Sequence, residues 1–193
     1  MMAMRFAPYD ELNVIQLKLE WLNGESSLTA KQKRRECDEF LMDILTLAYM
    51  YGVQDVNENL GTNVLPEGTQ MIDAVLLPIA GKDLYDRINE YVMDDGTVDI
   101  QALMRVAETE MTRDYNTGGY NTAKASGLPG IRKKWVTMGD DRVRDTHDYL
   151  DGMEVGLDER FVTYDGDSAL APGGFELPQN NVNCRCGLTY KRY

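Results

Sequence analysis

The 193-residue chain is short of the side chains from which most active sites are built. It has one histidine, His147, three cysteines and two tryptophans. An odd number of cysteines, two of them separated by a single residue, does not make a disulfide framework and fits a reducing compartment. No apolar run is long enough to cross a bilayer, since the longest, Ala74 to Ala80, is interrupted by Pro78. The first residues, Met1 to Pro8, lack the long apolar segment of a secretory leader. There is no G-x-x-x-x-G-K-[ST] loop to cradle a nucleotide phosphate, no G-x-S-x-G elbow and no H-E-x-x-H helix.

Positive charge is also scarce where the chain is most acidic. Residues 1–120 carry 10 Lys or Arg against 21 Asp or Glu, whereas residues 121–193 carry 10 against 11. The first part should therefore repel phosphate backbones, whose binding needs cations to displace counterions. The second contains a basic run, Lys124, Arg132, Lys133, Lys134, Arg142 and Arg144, which is either a solvated face or a contact for an acidic surface, DNA or protein. Aromatics interleaved with basic residues, as in single-strand binders, are not seen. A hydrophobic fraction of 43% and a charged fraction of 27% are those of a soluble globular protein, long enough for one domain or a domain with a helical extension.

What is present first is helix. Asp10 can cap a helix carrying Leu12, Ile15, Leu19 and Leu22, ended by Gly24. Ser27 or Thr29 can cap a second, with the stripe Cys37, Phe40, Leu41, Ile44, Leu45, Ala48 and Tyr51. A turn-rich link from Gly61 to Gly68 leads to a short helix at 70–77, broken near Pro78 and Gly81. Leu84, Tyr85, Ile88, Tyr91 and Val92 mark another, closed by Asp94-Asp95-Gly96. Asp99 can cap the next, with Ile100, Leu103, Met104, Ala107 and Met111 on one face and Gly118-Gly119 or Ala125 as its end. After the breaker Gly127-Leu128-Pro129-Gly130 the texture changes. Short β-like runs at 134–138, 160–164 and 184–191 surround a helix at 141–150, and 165–182 reads as loop. The fold class is α+β, a helical N-terminal part followed by a small module with a few short strands and one or two helices.

The rare residues gather in that module. On a helix at 141–150, Asp140, Arg144, His147 and Asp151 would share one face, with Asp140 and Arg144 close enough to pair. Such a row is either an acid–base or metal cluster or a set of ties to neighbouring loops. Cys184 and Cys186 on a strand would point to one side and Arg185 to the other. With His147 they could supply three zinc ligands, and Asp140 or Asp151 a fourth, although one residue between cysteines is unusual for structural zinc and buried cysteines also pack as small hydrophobes. Trp135 reads as a core anchor, Gly152 as a turn and Asn183 as a loop amide bonding backbone.

Taken together, Trp135, Thr137, Asp140, Arg142, Val143, Arg144, His147, Asp151 and Gly152, then Pro172-Gly173, then Asn183-Cys184-Arg185-Cys186, resemble the signature of the phage minor head proteins, the Mu F-like or SPP1 gp7-like head morphogenesis family. The likeness covers roughly residues 100–190. Where that family's preceding helix often has Arg-Thr-Glu, this chain has Glu108-Thr109-Glu110 and so lacks the arginine. The resemblance implies a non-enzymatic structural protein of a phage or prophage head, with no catalytic residue and no membrane contact. It further implies action in head morphogenesis at the portal vertex, with the portal or major capsid protein as partner and a part in DNA packaging or ejection. Its place would be the virion head interior or portal vertex, and the host cytoplasm during assembly. Residues 1–98 would form an acidic docking or scaffold part and 99–193 the head-morphogenesis module. Two alternatives use the same residues. One is an enzyme in which Glu110, Arg144, His147 and Asn183 to Arg185 line a pocket for a nucleotide-like ligand, as in ADP-ribosyl transfer. The other is a zinc-stabilised interaction module.

Overall fold

In the computed structural model, which describes residues 11–78 and 82–193, each long helix starts where the sequence offers a cap. Thr29 opens α2 (Ala30–Leu60): its hydroxyl accepts the N–H of Gln32, and the Gln32 side chain accepts the N–H of Thr29, a capping box. Asp99 caps α5 (Ile100–Ala125) by accepting the N–H of Ala102. Between and before them lie α1 (Leu12–Gly24), α3 (Gly68–Val75) and α4 (Leu84–Asn89). The expected cap of α1, Asp10, and the expected breaker Gly81 lie outside the described residues.

The predicted stripes bury as a period of 3.6 requires. Ile15, Leu19 and Leu22 of α1, Cys37, Leu41, Ile44, Leu45 and Ala48 of α2, and Leu103, Ala107 and Met111 of α5 form one apolar cluster. Tyr51 does not join it; it is exposed, and Tyr49 is the buried tyrosine of that turn. Helix α5 runs through Gly118-Gly119 rather than stopping there. Those glycines serve a helix crossing: a Cβ on Gly118 would stand 2.2 Å from the Tyr49 carbonyl oxygen, and one on Gly52 1.9 Å from that of Tyr115. Backbone meets backbone, so no side chain fits.

Two local expectations shorten. The helix expected to reach Val92 ends at Asn89, because Val92 bridges Val98 around a turn in which Gly96 takes φ +86° and Asp95 accepts the N–H of Thr97. The helix expected over 141–150 is only α6 (Asp145–Asp148), since Arg144 is extended and the Asp140 carboxylate is held elsewhere. Beyond α5, β1 (Ile131–Val136) is the centre of an antiparallel sheet in the order β2-β1-β5, with β2 at Glu154–Gly156 and β5 at Gly187–Arg192. Trp135 stands opposite Leu188 in that ladder. A separate hairpin, β3 (Phe161–Val162) and β4 (Ser168–Ala169), lies partly in the segment expected to be loop. The α+β class holds: helices first, then a small strand-bearing module, with α5 contributing Met111 to the first apolar cluster and Ala123 to a second around Trp135.

Candidate functional site

Trp135 is fully buried, and three rings gather on it: Phe161 at 5.2 Å, His147 at 5.4 Å and Phe175 at 5.8 Å between centroids. Phe175 also stacks on the His147 imidazole. Helix α6 delivers His147 into this wall, and the segment entering β5 delivers the two cysteines. Nδ1 of His147 lies 3.4 Å from Sγ of Cys186 and 3.6 Å from Sγ of Cys184. All three residues are buried, and their donor atoms lie within 4.8 Å of one another. Both thiols are free. A hydrogen bond shared with Cys186 holds the Cys184 thiol well below the ordinary thiol range and pushes that of Cys186 up. Neither Asp140 nor Asp151 joins them, and among the described residues no other His, Cys, Asp or Glu does.

The other signature residues pair with each other. Asp140 does not meet Arg144; it takes a two-pronged pair from Arg185, at 2.5 and 2.8 Å, in fork-to-carboxylate geometry. That bond holds the Asp140 carboxyl down to about 2. Arg144 instead donates to the carbonyls of Gln179 and Val182. Asp151 accepts the N–H and hydroxyl of Thr137, at 2.8 and 3.1 Å, closing the end of β1 onto the turn after α6. Gly152 supplies that turn with φ +78°. The proposed common face of Asp140, Arg144, His147 and Asp151 therefore does not form, because the helix starts only after Arg144.

Asn183 has φ 56°, a left-handed conformation that asparagine tolerates better than most residues. Its backbone N–H donates to Thr109 Oγ1 of α5 at 3.1 Å, so the residue works through its backbone where a side-chain amide was expected to act. Gly173 of the Pro-Gly pair lies against α5, where a Cβ would stand 2.8 Å from Cα of Arg113. Glu110 faces inward, fully buried between Arg87 and Arg113. Arg113 also donates to the carbonyls of Ala74, Val75 and Leu77, satisfying the open end of α3. Among the described residues, Glu110 therefore does not line one cavity with Arg144, His147 and Asn183 to Arg185. The cavity beside His147 is lined by Met138, Arg142, Val143, Arg144 and Arg185 and offers about 10 Å³, without Glu110. Ligand pockets run to roughly 300–1,000 Å³.

The basic run is largely engaged. Lys133 is buried, donates to the Leu170 carbonyl at 2.8 Å and lies over the rings of Tyr120 and Phe161; burial holds its ammonium down to about 8. Lys124 pairs with Asp158, Arg132 with Glu154 and Arg142 with Asp140. Lys133 is withdrawn from the surface, whereas Lys134 is exposed and Lys124, Arg132 and Arg142 stay at the surface in their pairs.

Sequence reasoning missed a second set of organisers in the segment taken for loop. Asp167 accepts N–H groups of Ser168, Glu176 and Leu177 and the amide of Asn180. Burial works against its charge, but these bonds outweigh it and the carboxyl sits below its ordinary value. Asn181 brackets Phe175, accepting its N–H and donating to its carbonyl, and so sets the ring that stacks on His147. The signal available was the clustering of asparagines at 180, 181 and 183 just before Cys184.

Comparison with known proteins adds the lineage. Residues 70–189 match the family described as Phage Mu protein F like protein. The chain is 37% identical over 105 residues to the NAD(+)–arginine ADP-ribosyltransferase EFV of Enterococcus faecalis, a match covering 53% of this chain and 21% of that protein. It is 34% identical over 85 residues to minor head protein GP7 of Bacillus phage SPP1, covering 44% of this chain and 28% of that protein. The matched part is thus under a third of the length of either relative. No solved structure matches.

Proposed function

This chain belongs to the Phage Mu protein F like family, and on that premise we propose that it acts as a non-enzymatic minor head protein, docking at the portal vertex during head morphogenesis. The observation that carries this reading is that the signature residues are consumed in holding one another. Asp140 is spent on Arg185, Asp151 on Thr137, Arg144 on two carbonyls and Glu110 on two arginines, leaving a cavity no larger than a water beside the histidine. The SPP1 relative, a minor head protein, agrees with it. The docking surface we assign is the open groove of about 440 Å³ along α2 and the link after it, lined by Leu47, Met50, Tyr51 and Leu65. Portal protein is its proposed partner, and a contribution to DNA packaging or ejection would be exerted through that partner.

Tagged chain expressed during phage production should copurify with portal protein and appear in purified heads. Tyr51→Asp and Leu65→Asp, at exposed positions, should lose the capture while circular dichroism stays unchanged. Heads that exclude the chain, or capture indifferent to both substitutions, would overturn the assignment. A second reading, ADP-ribosyl transfer, rests on the similarity to the Enterococcus ADP-ribosyltransferase, of which the match covers 21%. The buried Glu110 carboxylate, taken up by Arg87 and Arg113, weighs against that activity. Purified chain given NAD+ and an arginine acceptor should show no turnover; measurable transfer would reverse this choice.

A further inference from the structure

The contacts of His147 are awkward for a metal-free cluster. An imidazole Nδ1 has one lone pair, so it can accept from one thiol, yet two thiols crowd it at 3.4 and 3.6 Å. The remaining ring nitrogen, Nε2, is buried with no hydrogen-bond partner among the described residues. A single cation between the three atoms resolves the crowding on the Nδ1 side. With zinc bond lengths of about 2.3 Å to sulfur and about 2.05 Å to nitrogen, the nitrogen-to-sulfur edge of a tetrahedron is about 3.5 Å. The two observed separations bracket that edge.

We propose that His147 Nδ1, Cys184 Sγ and Cys186 Sγ form a zinc site, with water as the fourth ligand. Two thiolates and one imidazole are a soft donor set that suits zinc among the common divalent ions, and the paired negative charges are neutralised by it. The fourth position opens onto the cavity lined by Met138, Arg142, Val143 and Arg144, whose 10 Å³ holds about one water molecule. No carboxylate competes for that position, because Asp140 is paired with Arg185 and Asp151 with Thr137. A single residue between the cysteines suffices here because they need not span the ion from one turn. His147 closes the site from α6, and the Cys186 carbonyl is itself anchored by the Asn116 side chain of α5 at 3.0 Å. The ion would join the sheet edge to α6 at the point where Trp135, Phe161 and Phe175 exclude solvent.

The test uses the full chain under reducing conditions, purified without added metal and then titrated with Zn2+ or Co2+. We expect about one ion per chain and a Tm rise on the order of 10 °C at saturating Zn2+. Co2+ should give the visible ligand-field bands of a tetrahedral site together with thiolate charge transfer. Cys184→Ser and Cys186→Ser should each abolish the charge-transfer intensity expected of two thiolates, while Cys37→Ala, a buried cysteine outside the cluster, should keep it. Because the serine variants could misfold, the wild-type chain decides the question by itself. Folded wild-type protein that takes up less than half an equivalent, with Tm unmoved by Zn2+ and by chelator, would overturn the site.

Discussion

The apolar cluster of α1, α2 and α5 and the cluster around Trp135 are held by different means. The first is a set of aliphatic side chains, Ile15, Leu19, Leu41, Leu45 and Leu103 among them, whose job is to fill volume. Any side chain of similar size and shape serves, provided that the helices can approach at Gly52 and Gly118. The second is assembled on short strands, and much of its order comes from single polar contacts: Asp140 with Arg185, Asp151 with Thr137, Asn181 with Phe175, Thr109 with Asn183. A core of the first kind tolerates substitution broadly. One of the second kind demands particular residues, and signature residues such as Asp140, Arg185 and Asp151 are among those that make these contacts.

Five substitutions can break or sharpen that contrast. The largest effect should follow Trp135→Ala, which removes the ring on which His147, Phe161 and Phe175 gather and should cost about 3–5 kcal/mol in urea unfolding. The matching test in the helical cluster, Leu41→Met, keeps volume and should cost less than about 1.5 kcal/mol. Comparable losses at the two sites would erase the distinction. Next comes Gly52→Ala, whose Cβ would be driven into the Tyr115 carbonyl and should cost on the order of 3 kcal/mol, far more than one methyl elsewhere on α2. A loss below about 1 kcal/mol would mean that α2 and α5 part easily.

Smaller again is Thr29→Ala, which strips the capping box of α2 and should lower stability by about 1 kcal/mol, read from thermal unfolding. The subtlest effect is a pH dependence at Asp140. Its hydrogen bond to Arg185 holds the carboxyl down to about 2, below the roughly 3.9 of an unfolded aspartate. The stabilisation is therefore complete above about pH 4 and is lost as pH falls toward 2. Wild-type Tm should converge on that of Asp140→Asn across this window; parallel curves would reject the assignment.

Much of the helical half was legible because the information is local. The stripe of α1, the Thr29 and Asp99 caps and the Gly127 to Gly130 breaker can each be seen within a few residues. What escaped depends on partners far along the chain. Gly118-Gly119 reads either as a helix stop or as mid-helix until α2 lies across it. Asp140 looks like a helix residue until Arg185, 45 positions later, takes its carboxylate. His147, Cys184 and Cys186 could be named from the sequence as one possible set and Trp135 as a core anchor, while their meeting in one place is seen only in the fold. The pairing of the charged members was not legible, because it rested on a helix face that the extended Arg144 prevents. Lys133 shows the same limit: the alternation of β1 turns it inward, while composition alone reads it as part of a basic surface.

Helices α2 and α5 both place side chains in both clusters, through Leu41 and Val56 in α2 and Met111 and Ala123 in α5, and the central turns of α5 are pinned by Gly52, Asn183, Gly173 and Cys186. The two halves of the molecule consequently have no seam along which to come apart. Amide protons in the middle of α5 should exchange with solvent only when the whole chain opens, at a rate that reports global stability, whereas those of the β3–β4 hairpin should exchange through local fraying.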